Sequence, residues 1–187
     1  MNIIKIIAGL SNPFKKYNNT RHNIGALFVK NLSKKFNIKL NIKNKFLGNI
    51  GIWKYNNQNI YLFVPSLYMN LNGISIRLIS SFYNISYKNI LIVQDDIYTN
   101  VGISRFVVSN NHYGHNGIKN IIYNFNKKCL LNRLCIGIGK PTNKHNLASY
   151  VLSEPLKEEK KLINKSINES INIVKNLIKK NISIKKI

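Results

Sequence analysis

Two adjacent carboxylates, Asp95 and Asp96, are the only acidic residues before Glu154. They follow Ile90-Leu91-Ile92-Val93-Gln94, an apolar run that reads as a buried strand. A carboxylate at the end of such a strand is poorly solvated and needs a partner. The chain offers four histidines for that purpose, His22, His112, His115 and His145. An imidazole with an ordinary pKa near ~6.5 can take a proton from water at neutral pH. A carboxylate on its other ring nitrogen fixes the tautomer, stabilises the imidazolium and raises the pKa, each unit being worth about 1.4 kcal/mol. Water activated in this way hydrolyses esters.

His22 lies in Thr20-Arg21-His22-Asn23, a loop ahead of a helical pattern, which suits a reacting group better than a core position. Three asparagines sit in comparable places: Asn12 after the first strand-like run, Asn70 after the strand ending at Val64, and Asn116 before a short helix. Neutral amides hold carbonyl oxygens without competing as nucleophiles or bases. Amide donors aimed at a developing oxyanion are worth roughly 3–4 kcal/mol, and Asn12 or a neighbouring backbone N–H is the candidate. Plainer readings stand beside these. Asn23, Asn70 and Asn116 are each placed to cap a helix, and Asp96 to shape a turn. His112 and His115 are three apart and could meet a metal with Asp95, but no further Cys, His or acidic cluster accompanies them, so no metal and no cofactor is expected.

The elements that must position these residues alternate between strand and helix. Residues 3–8 form an apolar run ended by Gly9 and Asn12-Pro13, and residues 23–36 carry a helical apolar face. Residues 46–55 and 59–64 read as a hairpin across Asn56-Asn57-Gln58. Leu71, Ile74, Leu78 and Phe82 make a helical stripe, residues 90–94 and 103–108 are strands, and Ile118, Ile121, Ile122 and Phe125 mark a short helix. A strand over 133–138 follows, then, after Pro155, a long amphipathic helix through Ile163, Ile167, Ile171, Val174 and Ile178. The order predicts an α/β fold: one domain over residues 1–187, with a mixed, mostly parallel central sheet flanked by helices. In such sheets ligands gather at the carboxyl ends of the strands, which is where Asn12, Asn70 and Asp95 fall.

The formal charge of +23 points to a polyanionic partner, nucleic acid before membrane. Asn, Ile, Lys and Tyr make up over half the chain, and all use A+T-rich codons, so part of that charge reflects codon bias. Cys129 and Cys135 are too few for a disulfide framework or a structural zinc site, and Cys135 reads as a reduced core thiol. No apolar stretch reaches membrane-spanning length, and the N-terminus runs straight into a strand, so a cytoplasmic chain without membrane contact is expected.

Taken together, five motifs carry a resemblance. They are Gly9-Leu10-Ser11-Asn12-Pro13 with Tyr17 and Thr20-Arg21-His22-Asn23-Ile24-Gly25; Pro65-Ser66-Leu67-Tyr68-Met69-Asn70-Leu71-Asn72-Gly73; Asp95-Asp96; His112-Tyr113-Gly114-His115-Asn116-Gly117-Ile118-Lys119; and Arg133 to Pro141. Their order and spacing over residues 3–155 resemble bacterial-type peptidyl-tRNA hydrolases. The resemblance implies a monomeric, metal-independent enzyme that cleaves the ester between a peptide and tRNA. It implies His22 as catalytic base, Asp95 as its partner, and Asn12, Tyr17, Met69, Asn70, His115 and Asn116 as substrate-cleft residues. Arg105, Lys119, Arg133 and Lys140 are the tRNA candidates, Arg105 foremost because arginine is scarce here and the family clamps phosphate near its strand. An N-acyl carbonyl accepts an amide hydrogen bond that a charged amine cannot, which would separate peptidyl- from aminoacyl-tRNA. The alternative reading is a basic RNA-binding protein on the same fold, with hydrolysis weakened or lost.

The sequence also departs from the family pattern. Phe14 stands where glycine is usual, and Ser109 to Gly114 replaces a glycine-rich stretch. Val107 and Cys135 occupy positions that are often basic, and the lysines of the last helix serve equally as a solvated face or a tRNA contact.

Overall fold

The computed structural model describes residues 3–125, 129–141 and 147–180. His145 lies outside the described residues. Seven strands form one sheet in the order β2-β3-β4-β1-β5-β7-β6. These are β1 (Ile6–Gly9), β2 (Asn41–Lys43), β3 (Gly48–Tyr55), β4 (Gln58–Pro65), β5 (Ile90–Asp96), β6 (Ser104–Ser109) and β7 (Leu131–Gly137). The central strands β4, β1, β5 and β7 are parallel; β2 and β3 extend one edge antiparallel, and β6 closes the other.

Both faces of the sheet are covered, because the central strands are apolar on both sides. Side chains alternate along each strand. In β1, Ile7 joins a core with Phe28, Val29 and Leu32 of α1 (Ile24–Lys35) and with Ile163, Ile167, Ile171 and Val174 of α5 (Lys157–Lys180). Ile6 and Ala8 face the opposite core, with Ile76 and Ile79 of α2 (Asn72–Phe82) and Ile118 and Ile121 of α3 (Asn116–Phe125). A short α4 (Leu147–Val151) precedes α5. The lysines of α5 at 157, 160, 161, 165, 179 and 180 stand on its exposed face, opposite the isoleucine stripe.

The helix expected from Leu71, Ile74, Leu78 and Phe82 is present, but that stripe is partly exposed. The helix instead buries Asn72, Gly73, Ser75, Ile76, Ile79 and Ser80. Small residues let it approach its neighbours: a Cβ at Gly73 would press into the Asn120 carbonyl of α3.

From β1 the chain passes through α1 toward β4 on one side; from β4 it passes through α2 to β5 on the other. The carboxyl end of β1 is therefore the switch point at which α/β sheets open a crevice. Two glycines set the depth of that crevice. A Cβ on Gly25 would run into the Val93 carbonyl oxygen, and one on Gly9 into the Gly25 carbonyl. The first turn of α1 thus lies directly on β1 and β5.

Candidate active site

A cleft of about 1120 Å³ opens at the carboxyl ends of β4, β1 and β5, and Asn12, His22, Met69, Asn70, Asp95, His115 and Asn116 all line it. His22 sits in the turn just before α1, so the close approach of Gly25 to β5 carries the imidazole onto Asp95. Its Nδ1 lies 2.9 and 3.0 Å from the two carboxylate oxygens. Its Nε2 bonds to no other described residue, and the side chain is 12 % exposed at the cleft.

Asp95 has a second imidazole. His115 Nε2 lies 3.1 Å from Oδ1, while its Nδ1 accepts the backbone N–H of Gly117 at 3.1 Å and lies 3.4 Å from that of Ile118. An imidazole nitrogen that accepts an N–H carries no proton, so the proton is on Nε2 and points at the carboxylate. His115 is a neutral donor held in one tautomer.

The electrostatics follow from this arrangement. Burial disfavours the Asp95 charge, but the charges and hydrogen bonds of His22 and His115 outweigh it and hold the carboxyl far below the usual range. Burial would lower the His22 pKa, yet the Asp95 charge and hydrogen bond reverse that and raise it. His115 moves the other way. Burial dominates, and His22 and Arg133 add to it against the pull of Asp95.

Two asparagines that face inward build the opposite wall. Asn23 is not used as a cap: its Oδ1 accepts the Asn12 N–H at 2.8 Å and its Nδ2 donates to the Asn12 carbonyl at 3.0 Å. Asn72, fully buried, accepts from Ser11 N–H at 2.9 Å and donates to the carbonyls of Ser11, Leu67 and Tyr68. The loops after β1 and β4 are thereby tied into one unit. Asn12 Oδ1 then accepts the Met69 N–H at 2.8 Å, and Nδ2, at the cleft, bonds to no described residue. Asn70 and Asn116 are exposed at the cleft, and their side-chain amides bond to no described residue. Met69, 4 % exposed, forms an apolar wall.

The remaining expected residues fall in different surroundings. Tyr17 is half-buried in the turn after Phe14 and does not line the cleft. Arg105 is half-exposed at the cleft, where Nη2 bonds Asp96 Oδ2 at 2.8 Å and Nε bonds Thr99 Oγ1 at 2.9 Å. Asp96 also accepts the Tyr98 N–H at 2.9 Å, so it shapes the turn and fixes Arg105 together. Arg133 is buried, donating from Nε to Gln94 Oε1 at 3.0 Å and from Nη1 to the Asn111 carbonyl. Val107 pairs with Arg133, and Cys135 with Arg105, across β6 and β7. Lys119 is exposed on α3, and Lys140 lies 4.9 Å from the Tyr98 ring centroid.

The chain is similar to known proteins over most of its length. The model of the family described as peptidyl-tRNA hydrolase matches residues 6–186. The chain belongs to this family. A peptidyl-tRNA hydrolase of Buchnera aphidicola from Cinara cedri is 45 % identical over 84 % of this chain and 82 % of its own length. One from Clostridium botulinum is 42 % identical over 84 % of this chain and 81 % of its own. The crystal structure of peptidyl-tRNA hydrolase from Acinetobacter baumannii superposes with a TM-score of 0.91 at 35 % identity, covering 97 % of this chain and 91 % of that one. The α/β fold expected from the sequence is thus the fold of peptidyl-tRNA hydrolases.

Several residues that build this site were not singled out in the sequence. Arg21 is buried and anchors the turn carrying His22: it donates to Ser153 Oγ and the Glu154 carbonyl, pairs with Glu159, and stacks on the Tyr150 ring at 4.3 Å. The scarcity of arginine was the available signal. Asn72 stood in one of the motifs but without a role of its own, since an asparagine clamp between two loops has no local pattern, and Gln94 gave no signal.

Proposed function

We propose that this chain hydrolyses the ester between a peptide and its tRNA, with water as nucleophile, His22 Nε2 as general base and Asp95 as the residue that orients it. Asp95 accepts the Nδ1 proton, so Nε2 is the basic nitrogen and lies toward the cleft. As Nε2 takes the proton from water, the imidazolium stays beside a carboxylate that remains ionised. Asn12 Nδ2, its orientation set by Met69, donates to the oxygen that gains charge as the carbonyl becomes tetrahedral. Asn70 and Asn116 hold the peptide carbonyls, and Met69 packs beneath them. As the ester C–O bond breaks, the leaving 2′- or 3′-oxygen of the ribose takes that proton from His22 and becomes a hydroxyl.

The observation that carries this reading is the His22–Asp95 pair, with Nε2 and an Asn12 amide donor on the same cleft that bond to no other described residue. The same reading takes the chain as a monomer. No helix among the described residues is long and apolar enough to cross a membrane. The cytoplasm, where peptidyl-tRNA arises, is the compartment this reading assigns. Arg105 is the first phosphate contact, and the exposed Lys119 and Lys140 add to the field around the tRNA.

The test is incubation with N-acetyl-aminoacyl-tRNA. Release of the N-acetyl amino acid, abolished in His22→Ala, is expected. Tight binding with no release by the unaltered chain would leave only an RNA-binding protein.

A further inference from the structure

Two exposed aromatic pairs flank the cleft and differ in their surroundings. Phe14 and Tyr68, with ring centroids 5.9 Å apart, come from the loops after β1 and β4, beside Asn12 and Asn70. Among the described residues no cation lies over either ring. Tyr98 and Tyr113, with centroids 6.1 Å apart and planes at 61°, come from the loops after β5 and β6 and both line the cleft. They are 56 % and 57 % exposed. Lys140 Nζ lies 4.9 Å from the Tyr98 ring centroid, and Arg105 shares the Asp96 carboxylate with the Tyr98 N–H.

We propose that Tyr98 and Tyr113 form a stacking site for an unpaired nucleobase at the 3′ end of the tRNA, with Lys140 and Arg105 taking the adjoining phosphates. The proposal rests on the tRNA-ester reading of this cleft and adds a base contact to it. Single-stranded nucleic acid is held by this combination, aromatic faces for bases and cations for the backbone. The backbone supplies a second indication. Tyr113 has φ 45°, a conformation that glycine adopts readily and a tyrosine does not. Large side chains held in such conformations cluster at ligand sites. The loop is also anchored from below, because Arg133 donates to the Asn111 carbonyl and His112 Nδ1 accepts the Gly114 N–H at 3.0 Å. The Phe14–Tyr68 pair, on the asparagine side, falls to the peptide. The ester would then lie between a base-binding rim and a peptide-binding rim, over His22.

The experiment compares two N-acetyl-aminoacyl-tRNAs, one intact and one abasic at the nucleotide before the esterified end. A double variant, Tyr98→Leu with Tyr113→Gly, tests the pair; the glycine suits the local φ, so folding is retained. On the intact substrate the variant raises KM roughly 5- to 100-fold, the range for loss of one stacked base, and the effect falls on KM rather than kcat. On the abasic substrate variant and parent have similar KM values, and Tyr98→Phe behaves as the parent. Equal KM rises on both substrates, or a loss that follows the acylated amino acid, would overturn the proposal. Binding of a short single-stranded RNA with the tRNA 3′ sequence reads the same site without catalysis. Tyrosine-dependent binding by a chain that releases no N-acetyl amino acid keeps the stacking site and refutes the hydrolase reading. Tyrosine-independent binding refutes the stacking site.

Discussion

His22 Nδ1 and the Asp95 carboxylate oxygens are 2.9 and 3.0 Å apart, although 73 residues separate them in the chain. Both oxygens are within reach of Nδ1, so the carboxylate holds the ring through two contacts. Asp95→Asn preserves the shape but replaces the charge with an amide that can present its NH2 to Nδ1. The proton then shifts to Nε2, and the base is lost. A fall in kcat of roughly 100- to 10,000-fold is expected, with KM little changed. Steady-state kinetics on N-acetyl-aminoacyl-tRNA measures it. A variant within a few-fold of the parent would remove Asp95 from catalysis.

The same contact sets the pH profile. The proposed mechanism needs neutral His22, whose pKa is raised because the Asp95 charge and hydrogen bond outweigh its burial. The profile of kcat/KM therefore rises with pH through a value above about 6.5, the ordinary histidine pKa. Stability has the opposite slope from this group. The pairing favours the charged imidazole, so its contribution is full below the unfolded pKa and fades as pH rises through the folded one. The lowered pKa of Asp95 contributes above the ordinary carboxylate range and is lost as pH falls below it. A kinetic inflection below the ordinary histidine pKa would contradict the raised value.

In the proposed mechanism His115, whose Nε2 lies 3.1 Å from Asp95 Oδ1, positions that carboxylate. Replacing it with phenylalanine keeps the ring volume and removes the second N–H from the carboxylate. The Asp95 charge then acts on His22 alone, and the His22 pKa rises further. If the kinetic midpoint moves up by one pH unit, activity at neutral pH drops by up to about tenfold, and it returns as pH is raised. That recovery separates a positioning role from a structural one. Loss that persists at high pH would show that His115 acts directly in the reaction.

The sheet was legible because its strands are β-branched runs bounded by Gly, Pro and Asn, and the long α5 because its apolar residues keep helical spacing from Ile163 to Ile178. β2 was not, since Asn41-Ile42-Lys43 is short, exposed and held by pairing with β3 alone. Neither was α4, whose five residues are too few to show a period. At the site, His22 and Asp95 could be named from their motifs. His115 was named as a cleft residue, but its hydrogen bond to Asp95 was not legible, because which nitrogen faces the carboxylate depends on the Gly117 N–H beneath it. Asn23 misled for a related reason. Its place suits a cap, yet the Asn12 backbone competes for the same side chain and wins with two hydrogen bonds.

The metal alternative has a specific form, since one ligand atom each from His22, Asp95 and His115 lie within 4.8 Å of one another. An ion there would have to displace the protons that both imidazoles direct at Asp95. Activity is therefore expected to be unaffected by chelators, and added Zn²⁺ to inhibit by competing with those protons. Loss of activity with EDTA, restored by a divalent ion, would assign the cluster to metal-assisted hydrolysis instead.

Gly25 is the position at which backbone packing controls chemistry. Its Cα faces the Val93 carbonyl and the Leu10 backbone so closely that a methyl group has no room. Gly25→Ala must lift the first turn of α1 from β5. Overpacking of this kind destabilises by about 1–3 kcal/mol, measurable as a lower urea midpoint. The same displacement carries the preceding turn, and with it His22, away from Asp95. A misplacement near 1 Å costs roughly 100-fold in rate. The two effects are separable, because stability is read in urea and the rate well below the unfolding transition. Activity retained in a destabilised Gly25→Ala would show that the His22 turn is positioned by Arg21 and its Glu159 and Ser153 contacts rather than by the helix behind it.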